Sequence, residues 1–242
     1  MTPSPPASAL RRIDAVFGGM TAPAEGCLHC YGAGELALLA VPRAPLGDDL
    51  VRILMHEVPS HFTDHPAVVR RLLPEFFSFV AHGRFSGMAY LPTGLGRTAW
   101  REWPAEQAAA IEGFLDAWWR ETLADPEPVY GVQAVWELCA DIHGSVTPLL
   151  DAWDSAPGGG AEDRHLAGRA EHWLDDLLQD DVSLVVPWGS EPLAELQEWL
   201  VTRAVPRLAG QADPLLVAKI GLLALGPEER WPAYAELVAS AG

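Results

Sequence analysis

The stretch Pro104–Leu123, PAEQAAAIEGFLDAWWRETL, decides the fold class. Ile111, Phe114, Leu115, Trp118 and Trp119 recur at spacings of three and four, which places all five on one face of an α-helix. Pro104 suits the first turn, where no N–H is needed, and Pro126 and Pro128 end the run.

The same rhythm continues in both directions. Upstream, Leu10, Ile13 and Phe17 mark a first helix that stops at Gly18-Gly19, and Glu35–Ala40 forms a short second one. Asp48 or Asp49 can cap a helix running to about Glu57 before Pro59. Thr63 or Asp64 can cap the next, with Val68, Val69, Leu72 and Leu73 inward; Pro74 is expected to break or kink it, and Phe76 to Val80 extend its apolar face. Residues 83–98 read as a Gly-rich loop. Downstream, helices are predicted over 130–142, 147–153, 162–179, 190–208 (kinked near Pro206), 213–225 and 227–239. Val182–Val186 is the one stretch suited to a strand. The expectation is an all-α chain of antiparallel helix hairpins, stacked as an irregular bundle or a HEAT-like α-solenoid. One domain over 1–242 is expected, with a disordered lead-in at 1–7 and a sub-domain break at 156–161, where Pro157-Gly158-Gly159-Gly160 makes the clearest linker.

Of the 242 residues 49% are hydrophobic and 20% charged, a balance that supports a packed core and excludes bulk disorder. No apolar run is long enough to cross a bilayer, and the start of the chain lacks the basic and apolar segments of a secretory signal. Three cysteines do not make a disulfide framework and suggest a reducing compartment, so a cytoplasmic protein is expected. A single lysine, Lys219, beside fifteen arginines resembles the coding bias of a GC-rich bacterial genome. The net charge of −17 is lopsided: residues 1–120 carry 10 Lys+Arg and 12 Asp+Glu (net −2), and residues 121–242 carry 6 and 21 (net −15). Such a field repels nucleic-acid phosphates and anionic membranes and favours a basic protein partner. The run Glu171, Asp175, Asp176, Asp180 and Asp181 is the expected docking face, although solubility alone would also account for it.

Cys27-Leu28-His29-Cys30 is the sharpest local motif. Two cysteines three apart can both reach one Zn²⁺ as thiolates, and zinc takes four tetrahedral ligands. Cys139 and His143 stand four apart on a predicted helix and so share a face. A closed site of Cys27, Cys30, Cys139 and His143 is therefore predicted, holding a structural zinc. Buried thiols acting as small hydrophobes are the alternative. Redox chemistry is disfavoured because no βαβ pattern surrounds the pair. A second constellation, His56, His61, Asp64 and His65, lacks the unbroken helical His-Glu-x-x-His spacing of a zinc protease, since Pro59 intervenes and the next histidine is at i+5. It could still bind a metal from a loop and helix start. Pro92–Thr98 lacks the lysine of a phosphate loop, and Trp188-Gly189-Ser190-Glu191 lacks the second glycine of a nucleophile elbow. Trp118, Trp136, Trp173 and Trp199, among ten tryptophans, fall at inward helical positions and read as packing, with a ligand-lining role as the alternative.

Cys27-Leu28-His29-Cys30, followed by leucine-rich helices and the Leu72-Leu73-Pro74 step, loosely resembles uncharacterised bacterial all-helical proteins with an N-terminal Cys-x-His-Cys element. That resemblance reaches only the first 85 residues, implies helices and brings no activity. The reading is a non-enzymatic interaction, adaptor or neutralising protein whose acidic C-terminal half binds a basic partner. A metal-dependent enzyme or small-molecule binder using His56, His61, Asp64 and His65 beside a Trp-lined cavity is the second.

Overall fold

The structure, a computed structural model, describes residues 5–84, 93–180, 190–210 and 212–241. Every regular element among them is helical, and the one extended pairing is the isolated antiparallel bridge between Gly26 and Phe62. The strand expected at 182–186 lies outside the described residues. So does most of the lead-in; Pro5 to Ala7 already belong to the first helix. The chain divides into two compact units, residues 1–121 and 122–242. The division falls within the last turn of a helix, and Gly158–Gly160 sits inside the second unit between two helices.

In the first unit α1 (Pro5–Phe17), α2 (Ala33–Leu39), α3 (Asp48–His56) and α4 (His65–Ala81) precede α5 (Ala105–Ala124). The central element is α4, against which α1 and α3 both pack. Its start is set by Asp64, whose carboxylate accepts from Ala67 N–H at 2.9 Å. Gly47, at φ 73°, precedes α3 instead of an aspartate cap; Asp48 and Asp49 lie in the first turn, where their charge suits the helix dipole. Pro74 does not end α4. Losing one backbone bond and crowding the preceding turn costs about 3 kcal/mol. The fully buried Leu72, Leu73, Phe76 and Phe77 flank it, and each contributes about 1.5–3 kcal/mol by burial, so packing outweighs propensity. Phe77 meets Phe114 of α5 with ring centroids 4.2 Å apart.

The second unit contains α6 (Val132–His143), α7 (Thr147–Ser155), α8 (Ala161–Leu178), α9 (Ser190–Trp199), α10 (Val205–Leu208), α11 (Pro214–Gly221) and α12 (Pro227–Ala241). Here α8 is central and packs with α6, α10, α11 and α12. In each unit the described helices thus gather around one central helix, an irregular all-α bundle. The predicted break near Pro206 takes the form of a π-helical turn, Leu200–Ala204, because proline cannot donate to the regular ladder. Trp136, Trp153 and Trp173 are buried, with centroid separations of 4.9 to 6.4 Å, and Trp199 lies 5.9 Å from Trp153. Three of the indole N–H groups find acceptors: Trp173 on Gln133 at 2.8 Å, Trp153 on the Glu162 carbonyl at 3.1 Å, and Trp199 on Asp154 at 3.1 Å. These four tryptophans are core.

Candidate metal centre

The ligand group forms where a loop crosses the corner between α3 and α4. Val58 leaves α3 in extended conformation, and Pro59–His61 makes a single 3₁₀ turn. The Gly26–Phe62 bridge lays the cysteine loop along this turn, and Cys27 N–H donates to the His61 carbonyl at 2.9 Å. Gly26 suits this close approach: a Cβ would be crowded at 3.0 to 3.3 Å from Leu36, Phe62 and the His61 carbonyl. The loop then turns tightly, with the N–H groups of Cys30 and Tyr31 both donating to the Cys27 carbonyl at 3.0 Å. One face of the corner therefore carries both thiols and an imidazole.

Cys27, Cys30 and His61 each offer a ligand atom, and these atoms lie within 4.8 Å of one another, close enough to hold a metal ion. Cys30 Sγ is 3.8 Å from His61 Nδ1. Beside them Glu57 places Oε1 3.1 Å from the same Nδ1. Its other oxygen accepts from the Tyr31 hydroxyl at 2.7 Å, and Oε1 also accepts from Val58 N–H at 2.9 Å. Burial works to raise the Glu57 pKa, but the Tyr31 and Val58 hydrogen bonds and the His61 ring outweigh it and hold the carboxyl below its ordinary range. Tyr31 is pushed well up, by burial first and by Glu57 second. The two thiols are split: the Cys30 backbone N–H and thiol hold Cys27 below the usual cysteine value, while that same thiol contact raises Cys30. A groove of about 570 Å³ opens beside the group, lined by Cys27, Leu28, Leu36, His61 and Phe62 among others. No tryptophan lines it.

The other predicted ligands do not belong to this group. Cys139 and His143 belong to α6 in the second unit and are not members of the group. Cys139 is fully buried, and burial pushes its thiol far up, the environment of a small core hydrophobe. His143 is also buried, in the last turn of α6. Of the second constellation, His61 alone enters the group. Asp64 is occupied as the cap of α4. His65 is buried, stacks 6.1 Å from Phe62, and is held below its ordinary pKa by burial and by Arg97. His56 closes α3. Sequence spacing pointed to Cys27 and Cys30; it missed the pairing with His61, because the bridge that makes it joins residues 36 positions apart.

Comparison with protein-family profiles, curated proteins and solved structures returns no match. What fold and site define is an all-α protein with a thiol–imidazole ligand group on a loop–helix corner.

Proposed function

We propose that this chain is a zinc-stabilised, non-enzymatic interaction protein. The observation that carries the reading is the convergence of Cys27, Cys30 and His61. Two thiolates and an imidazole are the donor set that zinc prefers, and soft sulfur disfavours calcium, magnesium and manganese. The ion would tie the loop before α2 to the α3–α4 corner, adding to the Gly26–Phe62 bridge and the Tyr31–Phe62 stack that already join them. Cys27 and Cys30 are its sulfur ligands, and Cys139 packs in its own unit.

The acidic half supplies the interaction. Its cations are engaged within it: Arg207 with Asp163, Arg230 with Asp180 at 2.5 Å, Arg203 with Asp154 at 3.9 Å, Arg164 with the Gly160 carbonyl, Arg169 with Gln133, and Lys219 over the Tyr234 ring. Asp180 is consumed in this way, while Glu171 and Asp175 on α8 are exposed. The negative charge at Glu171 and Asp175 faces solvent, and it favours a basic protein. Titration of an arginine-rich peptide into the protein at 50 and 300 mM salt tests this part. Binding that weakens at least tenfold, and weakens again in Glu171→Arg/Asp175→Arg, is expected. Salt-independent binding, or none at low salt, contradicts it.

A further inference from the structure

From the geometry around His61 we infer that Glu57 is the fourth metal ligand, so that the site is a closed Cys27–Cys30–His61–Glu57 tetrahedron. This rests on the zinc reading above. His61 Nδ1 has a single in-plane direction in which to bind, yet it is flanked by two groups, Cys30 Sγ at 3.8 Å and Glu57 Oε1 at 3.1 Å. Two co-ligands around a shared ion stand in just that relation to a third.

The distances can be set against those of a filled site. With zinc bonds of about 2.3 Å to sulfur and about 2.0–2.1 Å to nitrogen and oxygen, a tetrahedron has an S···N edge of about 3.6 Å and an N···O edge of about 3.3 Å. Both observed separations fall within about 0.2 Å of those edges. Glu57 is not in the set whose atoms are all within 4.8 Å of one another, so ligation requires its Oε1 to shift toward the sulfurs.

The carboxylate is built for this. It follows the end of α3, only 19% of its side chain is exposed, and Tyr31 fixes Oε2 from a buried position. Tyr31 is itself the residue after Cys30, so the loop that supplies the sulfurs also supplies the hydroxyl that orients the oxygen ligand. Tyr31 is a positioning residue, of the kind whose loss weakens metal affinity without removing a bond to the ion. A site closed by four protein ligands leaves no place for a metal-bound water and is structural.

The test uses zinc competition with a chelator and cobalt spectra on the full chain. Tyr31→Phe is expected to lower zinc affinity by about 10–100-fold, and Glu57→Ala by at least as much, with helical circular dichroism unchanged. The cobalt-loaded wild type should show an intense tetrahedral spectrum that added azide leaves alone, whereas azide should shift the spectrum of cobalt-loaded Glu57→Ala. A wild-type spectrum that azide shifts, or zinc affinity within twofold of wild type in Glu57→Ala, overturns Glu57 as ligand while leaving the three-ligand metal site standing. Absence of zinc and cobalt binding in the wild type overturns the metal reading itself.

Discussion

At the residue scale, exposed and buried thiols divide the roles. Cys27 and Cys30 stand on a loop, one half-buried and one exposed, whereas Cys139 has no exposure at all. Cys139→Ser puts a hydroxyl, which needs a hydrogen-bond partner, in place of a fully buried apolar thiol, so it should lower thermal stability by a few degrees without changing metal content. Differential scanning calorimetry with elemental analysis separates the two effects. Glu137 is a second telling residue. It is half-buried, its Oε1 accepts from Gln133 at 2.8 Å and its buried Oε2 has no hydrogen-bond partner. Burial raises its pKa, so the ionised form costs stability above the ordinary carboxylate range, and that cost disappears as acid protonates the group in both states. Glu137→Gln should therefore raise the melting temperature by a few degrees at pH 7, with the gain shrinking as pH falls toward the ordinary carboxylate value of 4.5 and gone below it, a trend that melts across pH 3.5–7.5 would show.

At the element scale, local signals explain the helices and packing explains the exceptions. The Asp64 cap is readable from residue type and position, and its bond to Ala67 fits. Asp64→Ala should cost about 1 kcal/mol in urea denaturation. Pro74 misleads, because propensity counts one lost bond and the buried Leu72, Leu73, Phe76 and Phe77 around it decide. The tryptophan pattern was legible as a 3.6-residue stripe, and Trp136, in contact with Trp153 and Trp173, should cost about 3–5 kcal/mol when replaced by Ala.

At the scale of the whole molecule, helical class and charge split are visible in the sequence, since periodicity and residue counts are local quantities. The ligand group is only half visible. A C-x-x-C spacing announces two ligands, but nothing in spacing could rank His61 above His143, because the choice depends on a tertiary bridge between Gly26 and Phe62. His143, on α6 beside Cys139, satisfied helical spacing, and its unit differs from that of the cysteine loop. No described helix is long and apolar enough to cross a membrane. Metal removal belongs to this scale too. A chelator should lower the melting temperature of the wild type and leave that of a Cys27→Ser variant unmoved, since the bound ion stabilises only the state that holds it.

The most direct measurement is zinc content per chain for the wild type, His61→Ala and His143→Ala, purified identically. Our account predicts about one zinc per chain in the wild type and in His143→Ala, and loss of most of it in His61→Ala. Zinc retained in His61→Ala and lost in His143→Ala would contradict it.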